Sequence, residues 1–160
     1  MRSMFDPAEF FELAHELCSA ERPNIASRLT RARVRTSFGR AYYGLYLIVR
    51  ATISTRHGIP LRRFEHGKLS RFLQDSRLRR DARALGRYLE HLYSLRQKAD
   101  YELDPRGLWE EKLADPALAT KTVAEAKRFA RTVPVLDFTP VVHLFDPGYL
   151  AGGGRDGELQ

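Results

Sequence analysis

Apolar residues recur through most of this chain at three- and four-residue steps, the period of a helix with one buried side. The clearest run is Leu85, Tyr88, Leu89, Leu92, Leu95 and Ala99, which predicts a helix from about Arg80 to Asp100. Phe38, Tyr42, Leu45, Val49 and Ile53, widened by Ala41 and Ile48, predict a long helix from Ile25 to about Arg56. A first helix is expected to start at Asp6-Pro7-Ala8-Glu9, which offers a cap, a proline at the first helical position and a capping-box acid. It runs to about Cys18 with Phe10, Leu13, Ala14 and Leu17 on one side. Leu69, Phe72 and Leu73 mark a short helix from His66 to Gln74. Val123, Ala126, Phe129 and Ala130 mark another from Pro116, capped by Asp115, to about Arg131. Arg22-Pro23-Asn24, with Asn24 as a cap, and His57-Gly58-Ile59-Pro60 bound the long helix. The expectation is an all-α bundle of about five helices in one domain, residues 1–133. After Pro134 the helical pattern stops. Residues 134–160 read as an irregular extension with a short apolar run, Val141 to Phe145, and a flexible Gly152-Gly153-Gly154 tail.

One position breaks the pattern. Arg96 falls on the apolar side of its helix, where a charge is costly to desolvate and persists only with partners or in a wet cleft. Asp100 stands one turn on, at the spacing of a helical ion pair. Tyr101 points the opposite way unless the helix ends or distorts near Asp100, and Asp104-Pro105 places an ending close by.

Composition narrows the function classes. The 160 residues carry a net charge of +7, and residues 22–98 hold 19 of the 27 Lys/Arg against 4 of the 20 Asp/Glu. A basic middle between acidic flanks suits a polyanion such as RNA. Arginine-rich helix faces that simply meet solvent explain the same numbers equally well. The single cysteine, Cys18, rules out an internal disulfide and a cysteine-rich metal site. No His/Asp/Glu grouping has metal-ligand spacing, no glycine-rich loop has the context to cradle phosphate, and no cofactor is implied. The apolar runs are too short to span a membrane, and the start is not a signal peptide, so a cytoplasmic protein is expected.

Among candidate site residues, Arg96 comes first, as a bidentate phosphate contact or as half of a structural pair with Asp100. Arg33, Ser37 and Arg40 share a face of the long helix and would extend a basic cleft and orient Asp100, or form a polar stripe toward solvent. Lys98 would add to the same basic surface. His66 can serve the site if its helix packs against the end of the Arg96 helix; otherwise it caps its own helix. Tyr42 is expected in the core, and Trp109 is expected to anchor the loop before the last long helix.

Three segments carry a family resemblance. Arg96-Gln97-Lys98-Ala99-Asp100-Tyr101 resembles the helix-end motif of the HEPN superfamily, an arginine, often followed by a polar residue, and then a histidine after four to six intervening residues. Ser37-Phe38-Gly39-Arg40-Ala41-Tyr42-Tyr43-Gly44-Leu45-Tyr46 resembles the S-x-x-x-x-YY-x-x-F/Y signature of one HEPN branch, and His66 stands where that branch often has a histidine. The likeness covers residues 5–131. It implies a homodimeric helical bundle of a toxin–antitoxin or defence system, acting on RNA or binding it, often beside a minimal nucleotidyltransferase antitoxin. The family's metal-independent ribonucleases rely on the arginine and the histidine. Here Tyr101 stands at the first allowed histidine position. A phenol with an ordinary pKa near 10 is a poor proton shuttle at neutral pH, where an imidazole near 6.5 is suited. Two readings follow: a ribonuclease-like or RNA-binding protein with Arg96, Asp100 and Tyr101 at its site, or a catalytically inactive dimerisation module that partners a nucleotidyltransferase.

Overall fold

The computed structural model describes residues 6–19, 27–101 and 109–145, with backbone only for 27–29 and for Glu110. The described residues form an all-α bundle: α1 (Glu9–Cys18), α2 (Ser27–His57), α3 (His66–Phe72), α4 (Arg80–Tyr101), α5 (Glu110–Leu113), α6 (Pro116–Thr132) and α7 (Val142–Phe145). Short 3₁₀ turns lie at Leu61–Arg63, Val133–Val135 and Thr139–Val141. None of the described helices is long and apolar enough to cross a membrane. The Asn24 cap, the Asp104-Pro105 ending and the glycine tail lie outside the described residues.

α2 is the axis of the bundle. Its 31 residues reach about 46 Å, and α1, α4 and α6 all pack along it. Phe38, Tyr42, Leu45, Val49 and Ile53 are fully buried on it, opposite Leu85, Leu89 and Leu92 of α4. Gly58 ends α2 with φ +67, a left-handed conformation that glycine adopts without steric cost. Pro116 opens α6, and the Asp115 carboxylate accepts the Ala117 N–H at 2.8 Å.

α1 differs from the expected face. Leu13 is 40% exposed, whereas Phe11, Ala14 and Cys18 are buried. The helix lies between α2 and α6 and so loses surface on two sides. Gly44 of α2 makes the room: a β-carbon there would stand 2.9 Å from the Phe11 ring. Gly44→Ala is therefore expected to destabilise the protein by about 1 kcal/mol, with the ring swinging to relieve most of the clash. Denaturant midpoints of the two proteins check this.

Residues 133–145 lie on the bundle. Leu136, Phe138, Val141, Val142 and Phe145 are buried, and the Phe145 ring centroid is 5.1 Å from Phe64 and 4.9 Å from Phe72. Arg56 at the end of α2 donates to the Leu136 carbonyl at 2.9 Å and also to that of Pro134. One-turn helices such as α5 and α7 are too short to show a period, which is why five helices are legible in the pattern and seven are formed among the described residues.

Candidate functional site

The α2–α4 contact sets the site. Arg35 of α2 donates to the Ala99 carbonyl at 3.1 Å and to the Lys98 carbonyl at 3.2 Å. A cation on the last carbonyls of α4 satisfies groups the helix leaves open and favours its dipole. That clamp holds the end of α4 against α2, and Gly39 faces it: a β-carbon there would be 3.7 Å from Arg96 Cγ and 4.0 Å from Asp100 Oδ1.

Arg96 is enclosed without being neutralised by hydrocarbon. Its side chain is 17% exposed, Nε donates to Asp100 Oδ2 at 2.9 Å, and its guanidinium lies 5.2 Å from the Tyr43 ring centroid. Burial works against its charge, but Tyr43, Asp100 and Tyr101 outweigh it and hold the pKa above its ordinary value. Its terminal nitrogens bond to no described residue, which leaves the bidentate end of the fork for an anion.

His66 opens α3 and enters the same region. Its Nδ1 is 2.7 Å from the Tyr42 hydroxyl, and its ring packs 4.2 Å from Tyr46, 5.6 Å from Tyr42, 5.7 Å from Tyr43 and 6.4 Å from Tyr93. Burial, then the charges of Arg96 and Arg50, push the imidazole pKa below its usual value. Burial pushes the Tyr42 phenol strongly up, so it stays protonated beside the ring. The arrangement is a neutral imidazole at physiological pH, anchored through one nitrogen, with Nε2 bonded to no described residue.

The shift has a stability consequence. A histidine whose folded pKa is depressed binds fewer protons folded than unfolded just below pH 6.5 or so. Its contribution is present above the unfolded pKa and is lost as pH falls through the folded one. Burial lowers the pKa of His57 as well, so both act in one direction. The melting temperature is expected to fall as pH drops from about 7.5 to 5.5, and less steeply in His66→Gln. Melting curves across that range check the sign.

The other candidates fall elsewhere. Tyr101 continues α4, is 72% exposed, and makes no hydrogen bond or ring contact with a described residue. It acts on Arg96 through electrostatics alone, with no hydrogen bond between the two. Arg33 does not flank Asp100: it donates to the Glu16 carbonyl at 3.1 Å and lines a cavity of about 650 Å³ with Cys18, Thr30 and Pro116. Ser37 is fully buried and its hydroxyl donates to the Val34 carbonyl at 2.6 Å, so it presents nothing to a ligand. Arg40 lies 5.6 Å over the Phe10 ring of α1. Arg33 and Arg40 belong to the side of α2 turned toward α1; Tyr43 stands at the border, 6.1 Å from the Phe10 ring, and the side facing α3 and α4 carries Gly39, Tyr46 and Arg50 as well. Lys98 puts its ammonium 3.4 Å from the Trp109 ring centroid, and Trp109 also takes Lys112 at 5.1 Å, which ties α4 to the start of α5. Among the described residues no group of three or more His, Cys, Asp or Glu is placed to hold a metal ion.

Tyr46, Tyr93 and Arg50 join the site through their approach to His66, which spacing along the chain does not show. Their signal was present in outline, since Tyr43, Tyr46 and Arg50 share a helix face and Tyr93 precedes Arg96 by one turn. Comparison with models of protein families, with curated proteins and with solved structures finds no significant match.

Proposed function

We propose that the protein is an RNA-directed HEPN-type bundle, a metal-independent ribonuclease of a toxin–antitoxin or defence system, with His66 rather than Tyr101 as its acid–base group. The observation that carries this reading is the imidazole of His66, fixed by Tyr42 at 2.7 Å and kept neutral partly by the Arg96 charge. A cation with a free fork and a neutral imidazole are the two groups that cleavage by the ribose 2′-hydroxyl needs. His66 Nε2 takes the 2′-hydroxyl proton as that oxygen attacks the adjacent phosphorus. Arg96 meets the charge that gathers on the phosphate oxygens. The bond to the 5′ oxygen breaks, that oxygen receives a proton through solvent, and a 2′,3′-cyclic phosphate is left. Asp100 positions Arg96, and Tyr42 positions His66.

The test is cleavage of single-stranded RNA by the purified protein in EDTA, beside Arg96→Ala. Cleavage by the parent and its loss in the variant support the reading; equal activity in both, or none in the parent, contradicts it.

A second reading is a catalytically inactive module that dimerises and binds a nucleotidyltransferase. Tyr101 favours it, being a large aromatic side chain left 72% exposed at the end of α4, where a partner would cover it. An RNA-inactive parent whose mass in sedimentation depends on Tyr101 is the outcome that selects this reading.

A further inference from the structure

Arg50 lies beside the site on α2 and touches neither Arg96 nor Asp100 in any hydrogen bond or ion pair. It follows Tyr46 by one turn of α2, with its guanidinium 5.6 Å from the Tyr46 ring centroid. Arg96 holds the corresponding place on Tyr43, at 5.2 Å. The His66 ring touches both tyrosines, Tyr46 at 4.2 Å and Tyr43 at 5.7 Å. Tyr43 and Tyr46 are about 4.5 Å apart along the helix axis, so two guanidiniums flank one imidazole at a short interval.

The two cations differ in how they are satisfied. Arg96 has Asp100 at 2.9 Å. No carboxylate among the described residues pairs with Arg50, and Glu65, whose charge reaches Tyr46, is held by Lys68 at 2.7 Å. Arg50 Nε is buried with no hydrogen-bond partner. A partly buried cation that no described carboxylate neutralises is costly unless an anion offsets its charge. Its Nε is enclosed and its guanidinium also donates a hydrogen bond to the Tyr46 phenol, so the remaining terminal N–H groups are the part left to meet that anion, in the geometry phosphate accepts.

We infer that Arg50 is a second phosphate-binding residue of this site, placed on Tyr46 as Arg96 is placed on Tyr43. The ligand is then a strand that presents two neighbouring phosphodiesters to the two guanidiniums, not a lone nucleotide. This rests on the RNA reading above and goes beyond it in naming what the strand must offer.

The experiment measures binding of a labelled single-stranded RNA oligonucleotide to the parent protein, Arg50→Gln and Arg50→Lys across a salt series. Arg50→Gln is expected to bind about ten-fold more weakly near 0.1 M salt, with a log–log salt slope smaller by about 0.7, the loss of one phosphate contact on a single strand. Arg50→Lys keeps the charge and is expected to keep the parent slope with part of the affinity lost. Melting curves show whether each variant is folded, and the lysine variant keeps the test decisive if the glutamine variant is not. An Arg50→Gln protein with the parent's slope and affinity overturns the inference alone, as does a folded Arg50→Lys whose slope falls below the parent's. A parent protein whose RNA binding does not change with salt overturns the RNA reading and the inference with it.

Discussion

His66→Ala is expected to slow RNA cleavage by about 10²–10⁴-fold, the usual contribution of a positioned proton-transfer group, whereas Tyr101→Phe is expected to leave the rate unchanged. The contrast follows from position. His66 is anchored at Nδ1 by Tyr42 and lies among Tyr43, Tyr46 and Tyr93, while Tyr101 is 72% exposed. Single-turnover rates in EDTA across pH 5.5–8 or so separate proton transfer from binding, because a depressed His66 pKa places the basic plateau of the rate at lower pH than an ordinary imidazole would. Tyr42→Phe removes the anchor but not the imidazole, so its loss should be smaller than that of His66→Ala. The reverse order, with Tyr101→Phe the damaging change, would assign the chemistry to the phenol and remove His66 from the site.

The largest effect on stability is expected at Gly86. This residue of α4 is buried where the end of α3 crosses it, and a β-carbon would stand 2.8 Å from both the Leu73 carbonyl carbon and Leu73 Cβ, and 3.0 Å from Gln74 Cγ. Helix propensity alone favours alanine here by about 1 kcal/mol. Backbone cannot swing away as the Phe11 ring does at Gly44, so the clash prevails. Gly86→Ala is expected to lose about 2 kcal/mol net, which lowers the melting temperature by about 4–8 °C in a domain of this size. The same change pushes α3 away from α4, so cleavage should fall together with stability. A variant that melts at or above the parent temperature would mean that the two helices do not approach this closely.

The contrast between Gly86 and Leu92 also marks what can be read from a sequence. Leu85, Leu89, Leu92 and Leu95 announce their burial by spacing, and all are buried. Arg96 was legible for the same reason, as the charge that spoiled an apolar stripe. Spacing along one helix says nothing of which neighbour lies opposite. Arg33, Ser37 and Arg40 therefore looked like a site face, although Arg33 and Arg40 meet α1. Ser37 shows the difficulty in small: a hydroxyl satisfied by the Val34 carbonyl of its own helix can be fully buried, and the sequence alone does not distinguish it from a solvated one. His66 was visible as a candidate only on condition that α3 packed on α4. The close approach at Gly86 and the Tyr42 hydrogen bond depend on tertiary contacts about 24 residues or less apart in sequence, which no local period encodes. The buried Val141–Phe145 segment needed the aromatic pair Phe64 and Phe72 to explain it, and those lie on another element.

The His66 imidazole sits within electrostatic reach of the Arg96 guanidinium. An NMR titration of the His66 ring nitrogens, in the parent protein and in Arg96→Ala, tests it without any RNA. A parent pKa below the ordinary value of about 6.5 is expected, with a rise when the Arg96 charge is removed. A His66 pKa that is ordinary in the parent and unmoved in Arg96→Ala would contradict it.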